Sequence, residues 1–460
     1  MYQELEFDPE LIRRYDISGP RYTSYPTAVQ FTESFTAEDY RRAAAESNAR
    51  GGPLSLYFHI PFCDTVCFYC ACNKVVTKNR KRAVPYLEHL FEEIRLQAAL
   101  YDSDRPVEQL HWGGGTPTFL SHEQMEALMQ ATRAHFHLLD DDSGEYSIEV
   151  DPREADASTI ALLRRLGFNR LSLGVQDFDP VVQKAVNRIQ SEEETFAVLE
   201  AARREGFRST SVDLIYGLPH QNVERFSRTL EKIIRAAPDR ISIFNYAHLP
   251  QMFKTQRQID ASALPPPAEK LKILGHSIEQ LTQAGYVYIG MDHFARPDDE
   301  LAIAQREGTL YRNFQGYSTH ADCDLVAMGA TAISKVADVY SQNEKSLERY
   351  YERIAAGELP VFRGIRLNED DRLRREVITR LICHFELDVR DIEQRFGIDF
   401  ADYFADALEA LRPLEADGLV ELDSDRIRVL PVGRLMIRNL CMPFDRYLQQ
   451  GGERRFSKVL

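Results

Sequence analysis

The sequence predicts an α/β fold: a partial β/α barrel, TIM-like with about six β/α units, carrying an N-terminal arm and a smaller, mainly helical C-terminal domain. Three observations predict it. Short, nearly continuous apolar runs recur from residue 54 to residue 246. Amphipathic stretches long enough to be crossover helices separate them. Near residue 366 the texture changes to charged helical patterns and one hairpin. The expected boundaries are 1–50 for the arm, 51–365 for the barrel and 366–460 for a winged-helix-like C-terminal domain. An open doubly wound sheet is the alternative architecture.

The strands are read first. The runs are LSLYFHI (54–60), QLHWGG (109–114), YSIEV (146–150), RLSLGV (170–175), STSVDLIYG (209–217) and RISIFNY (240–246). Most are too continuous for a half-exposed strand and suit strands covered on both faces, as in a parallel sheet. Parallel strands need helical crossovers. Val84, Leu87, Phe91, Ile94 and Ala98 recur at intervals of three and four, one face of the first helix. Ser121 with Gln124, and Ser191 with Glu194, have the spacing of capping boxes that open the second and fourth helices. Residues 156–166 and 223–237 supply two more. After PPP (265–267) comes another amphipathic helix, then VYIGMDHFARPDDE, read as a strand leaving into a loop. Beyond residue 366 the order reads helix, helix, hairpin, helix.

Composition narrows the function. The chain has 460 residues, 56 Lys plus Arg and 71 Asp plus Glu, a net charge of −15. Nucleic acid is a poor partner for such a chain, because phosphate binding needs a basic face. The start, MYQELEFDPELIRRYD, is polar and acidic and unlike a signal peptide. No run approaches the ~18 apolar residues of a membrane span. A soluble, cytoplasmic protein is expected, and nothing demands more than a monomer. Four of the seven cysteines fall between residues 63 and 72, which points to metal rather than to a disulfide framework.

That cluster is FHIPFCDTVCFYCAC, in which Cys63, Cys67 and Cys70 have the spacing C-x3-C-x2-C and Cys72 follows two residues later. It stands just after the first strand, where β/α barrels place their chemistry. Three thiolates in one loop can ligate three irons of a cubane cluster and leave the fourth iron open to an external chelate. The alternative is a zinc site using all four cysteines. Zinc ribbons split their thiolates into two C-x-x-C pairs, and no second pair is present: Cys323, Cys383 and Cys441 are isolated.

Other residues stand at strand ends. Gly113, Gly114, Gly115 and Thr116 follow the second strand, forming either a tight turn or a backbone cradle. Glu149 ends the third strand and Gln176 the fourth. Asp213 lies inside an apolar strand, where a carboxylate is costly unless paired. Arg188 is a candidate partner, or both grip a ligand. His59 lies two residues after Tyr57 and faces the same way. It is either a satisfied core histidine or a cofactor contact. His293 and Arg296 belong to a solvated loop or meet substrate carboxylates.

The cysteine motif resembles the radical S-adenosylmethionine superfamily. The chain as a whole resembles the oxygen-independent coproporphyrinogen III oxidases, through PRYTSYP (20–26), YFHIPFC (57–63), HWGGGTPT (111–118) and SIEVDPRE (147–154). The likeness continues through LSLGVQDF (171–178), VNR (186–188), DLIYGLP (213–219), FNYAHLP (244–250), GMDHFARPDDELA (290–302), RNFQGY (312–317) and RNLCMPFD (438–445). It implies a 4Fe-4S cluster on Cys63, Cys67 and Cys70, and two S-adenosylmethionine molecules. Tyr57, Gly114, Glu149 and Ile333 would line the first. Tyr69, Gly115, Thr116, Gln176, Arg188, Asp213 and Ala247 would line the second. Tyr69 stands where the better-known pattern has Phe; both offer an aromatic face. Gln315 matches a position near the reacting centre and joins His59 as a candidate catalytic residue. The 22–26 arm is expected to shape the active site. The implied reaction is anaerobic oxidative decarboxylation of two propionates of coproporphyrinogen III to vinyls, giving protoporphyrinogen IX. An electron donor protein such as flavodoxin or ferredoxin is implied with it. Related heme chaperones share the barrel and three cysteines but lack the fourth cysteine, here Cys72, and the PRYTSYP arm. Both features are present, which favours the oxidase. A radical enzyme that opens or methylates heme is a further rival.

Overall fold

The computed structural model describes residues 5–449, and the chain divides into two compact units. One comprises Phe31–Ile273 and Asp322–Arg366. The other comprises Met1–Gln30, Leu274–Ala321 and Leu367–Leu460, as far as these are described. The ends of the expected arm and C-terminal segments, residues 1–4 and 450–460, lie outside the described residues.

The first unit is built on six parallel strands: β1 (Leu54–Ile60), β2 (Pro106–Gly114), β3 (Glu145–Val150), β4 (Arg170–Gln176), β5 (Ser209–Tyr216) and β6 (Arg240–Asn245). Each pairs with its neighbour in sequence, β1 with β2 through to β5 with β6. A doubly wound sheet reverses its order at a switch point; these six strands do not. β7 (Asp324–Met328) adds in parallel on the far side of β1, and β8 (Ile333–Val336), β9 (Val339–Asn343) and β10 (Val361–Arg366) continue antiparallel. These last four strands are absent from the sequence expectation. β8 and β9 are short and carry polar residues such as Ser334, Ser341, Gln342 and Asn343, whereas the apolar run 325–328 of β7 was overlooked.

Helices α1 (Ala83–Ala98), α2 (His122–His135), α3 (Ala157–Arg165), α4 (Glu192–Arg204) and α5 (Val223–Ala236) make the crossovers. Both expected capping boxes form: the Ser121 and Ser191 hydroxyls accept from the N–H groups of Gln124 and Glu194, whose side chains accept in return. The buried face of α1 differs from the expected one. Ala83, Tyr86, Leu87, Leu90, Glu93, Ile94 and Gln97 are inside, while Val84 is 46% exposed. Hydrophobic periodicity cannot find a face that carries a satisfied carboxylate. Glu93 accepts from Gly329 N–H, Asn343 Nδ2 and Tyr350 OH at 2.6–2.8 Å.

In the second unit, Val287–Gly290 and His293–Ala295 form an antiparallel hairpin, so the expected strand-then-loop is two strands. Glu369–His384 and Ala405–Ala416 are helices, and Glu386–Asp388 joins the expected 420–429 hairpin as a third strand. Of the expected 1–50 arm, only the part up to Gln30 belongs to this unit, and residues 31–50 cluster with the first: Tyr22 OH donates to Asp445, and Arg438, 2% exposed, donates to the Pro20 carbonyl at 2.8 Å. His293 packs edge-on against Tyr317, and Arg296 lies 3.5 Å from Asp298. Among the described residues no helix is long and apolar enough to cross a membrane.

Candidate active site

The C-terminal ends of β1 to β6 open onto a cavity of about 380 Å³ in the first unit. Cys63, Cys67, Cys70 and Cys72 line it, with Tyr69, Gly114, Gly115, Thr116, Glu149, Gln176, Arg188 and Asp213. Sequence reasoning named all of these. The placement follows from the fold, because residues ending parallel strands converge at one end of a β/α sheet.

The cysteine loop is held from three sides. Phe62 and Cys63 pair in parallel with Val75 and Val76. Phe68 N–H donates to the Val186 carbonyl, and Asn187 Nδ2 donates to the Val66 carbonyl at 2.8 Å. Thr255 OH donates to the Cys70 carbonyl, while Gln256 Nε2 donates to the carbonyls of Tyr69 and Ala247. Ala247 is tied to Tyr69 through Gln256 and is not among the residues that line the cavity.

Each sulfur has its own neighbours. Thr116 Oγ1 lies 3.6 Å from Cys63 Sγ. Arg188 Nη1 lies 3.7 Å and Arg153 Nη2 3.9 Å from Cys67 Sγ. Both guanidiniums donate to Asp151 Oδ2, at 2.8 and 2.7 Å. Burial works against the Asp151 charge, but Arg188 and Arg153 hold its carboxyl below the ordinary value. Sequence reasoning missed Asp151 and Arg153. Their signal was DPRE directly after the third strand, where Asp151 caps a short turn by accepting from Arg153 N–H.

Arg188 therefore pairs with Asp151 and not with Asp213, correcting one of the two readings above. Asp213 instead accepts from Ser172 at 3.2 Å and from Ser242. Burial pushes its carboxyl up to about 6. Arg188 and Asp213 still face the same cavity.

The glycine run is both a turn and a cradle. Gly114 has φ +120°, and a Cβ there would stand 2.7 Å from His59 Nδ1. A Cβ on Gly115 would stand 2.7 Å from the Pro61 backbone. Gly114 N–H donates to Glu149 at 3.0 Å, and His111 Nε2 lies 3.5 Å from the same carboxylate. Burial opposes the Glu149 charge, but His111 and Gly114 hold its carboxyl low. Gln176 takes φ +69° where β4 slips register against β5, which turns its side chain into the cavity.

The remaining candidates lie outside the wall. Tyr57 stacks on His111 and shares a hydrogen bond with His59 Nδ1 at 3.1 Å. His59 Nε2 lies 3.2 Å from the Asn73 carbonyl. With Nε2–H donating there and Nδ1 accepting from Tyr57, a neutral His59 ties β1 to the segment after Cys72. Burial lowers its basicity accordingly. Ile333 stands half-buried on β8. Gln315 belongs to the second unit, in the turn between Tyr311–Asn313 and Gly316–Ser318; its Nε2 is buried without a partner among the described residues.

The donor set fits an iron–sulfur cluster. Three thiols of one loop line a single cavity, and guanidiniums stand ready to offset thiolate charge at Cys67. The Radical SAM superfamily model matches residues 57–233, and the HemN C-terminal domain model matches residues 367–436. The chain is 56% identical over 460 residues to the oxygen-independent coproporphyrinogen III oxidase of Pseudomonas aeruginosa, covering 100% of both. It is 52% identical to that of Escherichia coli, covering 100% of this chain and 99% of the other. The solved Escherichia coli coproporphyrinogen III oxidase (HemN), described as a radical SAM enzyme, superposes with a TM-score of 0.92 at 51% identity, over 97% of this chain and 100% of that one. A cavity ringed by these cysteines at the ends of parallel strands, in a chain alike from end to end, has one family to answer to: the protein belongs to the oxygen-independent coproporphyrinogen III oxidases.

Proposed function

We propose that the chain catalyses oxidative decarboxylation of two propionates of coproporphyrinogen III to vinyl groups, giving protoporphyrinogen IX in heme biosynthesis without oxygen. The cavity in which Cys63, Cys67 and Cys70 meet the Gly114–Thr116 turn, Glu149 and Arg188 carries this reading. Bound there, a 4Fe-4S cluster and S-adenosylmethionine supply an electron for sulfonium cleavage and a 5′-deoxyadenosyl radical that removes a hydrogen atom.

The chain's own residues hold and shield. Cys63, Cys67 and Cys70 are the ligands. Arg188 and Arg153 place positive charge beside the Cys67 sulfur. Glu149 is ready to accept from an ammonium group, and the bare backbone at Gly114 and Gly115 lets a ligand approach closely. Tyr57, Gly114, Glu149 and Ile333 belong to one S-adenosylmethionine. Tyr69, Gly115, Thr116, Gln176, Arg188, Asp213 and Ala247 belong to a second. His59 positions the cysteine loop. Each propionate loses one hydrogen atom, one carbon dioxide and one electron to an external acceptor, which requires no general acid or base. A flavodoxin- or ferredoxin-type protein delivers the reducing electrons. The chain works as a monomer in the cytoplasm.

Anaerobic turnover tests the reading. Reconstituted protein is given S-adenosylmethionine, a reductant, coproporphyrinogen III and cell extract as acceptor. Protoporphyrin with about two 5′-deoxyadenosines per molecule is the expected outcome, one per vinyl formed. Tight retention of heme with no protoporphyrin would replace the oxidase by the heme chaperone.

A further inference from the structure

Between Asp64 and Glu88 the chain carries no carboxylate, although its net charge is −15. The same stretch holds Lys74, Lys78, Arg80, Lys81 and Arg82, five cations in nine residues. A cationic block in so acidic a chain follows directly on the cysteine loop.

The structure ties this block to the cluster ligands. Val75 N–H donates to the Pro61 carbonyl at 2.7 Å, and Thr77 N–H donates to the Cys63 carbonyl at 2.9 Å. Val76 is thereby in register with Cys63. Lys74 turns inward, donating to the Cys70 carbonyl at 3.0 Å. Arg80 is spent on structure: it pairs with Asp64 and Glu154 and lies over the Phe119 ring. Lys78, Lys81 and Arg82 are exposed and have no ion-pair partner among the described residues. Val76 and Val84, 41% and 46% exposed, bracket them in sequence. An exposed cationic segment in an otherwise acidic chain is complementary in charge to an acidic partner.

We propose that this exposed segment, Val76 to Val84 with Lys78, Lys81 and Arg82, is the docking surface for an acidic one-electron carrier protein. The inference rests on the radical-enzyme reading, since only a cluster at Cys63–Cys70 needs such a carrier. A donor seated on Val76 is one hydrogen-bonded strand away from a ligand backbone. The cations steer it there against the repulsion of the remaining acidic surface, which makes the encounter fast and sensitive to salt. The step is a single outer-sphere electron transfer: the carrier is oxidised by one electron and the cluster is reduced by one.

The test uses the full reconstituted chain and a reduced flavodoxin of net negative charge as probe. The variant is Lys78→Glu/Lys81→Glu/Arg82→Glu, which touches none of the residues placed in the cavity. Cluster reduction is followed by anaerobic stopped-flow absorbance at several salt concentrations. The flavodoxin rate should fall at least about tenfold at low salt, and the steep salt dependence of the parent should flatten. Reduction by dithionite and the reduced-cluster spectrum should stay as in the parent, which shows that the site has folded. Equal flavodoxin rates in parent and variant would overturn the proposal. So would unchanged flavodoxin rates with lost binding to anionic vesicles or RNA, which would reassign the patch. Dithionite-driven turnover judges the decarboxylase reading separately, so the two can fail independently.

Discussion

Arg188 donates to the Asp151 carboxylate at 2.8 Å from the same nitrogen that lies 3.7 Å from the Cys67 sulfur. Arg188 and Asp151 are each 7% exposed. Asp151→Ala removes the anion shared by two guanidiniums and leaves Arg188 buried and uncompensated. Breaking a buried pair in this way costs about 3–5 kcal/mol. Chemical denaturation of the apoprotein should register that loss, and a stability equal to the parent would mean that water replaces the carboxylate.

Glu149 provides a second test. Its carboxylate is held by Gly114 N–H and His111 and opens into the cavity. Glu149→Gln keeps the shape but removes the charge that would meet an ammonium group. A charge-assisted hydrogen bond is worth about 1.5–3 kcal/mol, so S-adenosylmethionine should bind roughly ten- to a hundredfold more weakly. Calorimetric titration of the reconstituted variant measures this directly; an unchanged Kd removes Glu149 from the cofactor site.

Gly115→Ala probes the cradle. Its Cβ would stand 2.7 Å from the Pro61 carbonyl carbon, and backbone cannot swing aside as a side chain can. Overpacking of this kind costs about 1–3 kcal/mol. Both the thermal midpoint and S-adenosylmethionine affinity should drop. A variant of parental affinity would place the ligand elsewhere.

Legibility in the sequence divides along physical lines. Continuous burial marked β1 to β6, because strands covered on both faces must be apolar. The thiol loop was legible because its spacing is local. Glu149, Gln176 and Asp213 were legible as polar residues at strand ends or inside an apolar strand. Asp151 and Arg153 were not, because their significance lies in meeting Arg188, 37 residues further along than Asp151. The α1 face was misjudged because Glu93 and Gln97 are polar yet inside. Nor does composition reveal that residues 274–321 cluster with the two ends of the chain, a matter of long-range contact alone.

Glu93 also predicts a pH dependence. Burial pushes its carboxyl up to about 7, from an ordinary value of 4.5. The folded protein thus binds this proton more tightly than the unfolded chain does. The stabilising contribution is fully present below pH 4.5 and is lost as pH rises through about 7. Glu93→Gln should flatten that segment of the stability–pH curve, measured by urea denaturation across the window. An identical slope in parent and variant would assign the dependence to other groups.

We propose that three thiols, Cys63, Cys67 and Cys70, hold a cluster with one iron open to S-adenosylmethionine, and that exposed Cys72 is not a ligand. Electron paramagnetic resonance of the dithionite-reduced Cys72→Ser variant, before and after adding S-adenosylmethionine, tests it most directly. A 4Fe-4S signal should persist in the variant and shift when S-adenosylmethionine is added, and no such signal should appear in Cys67→Ser. Loss of the signal in Cys72→Ser, or a signal indifferent to S-adenosylmethionine, would contradict it.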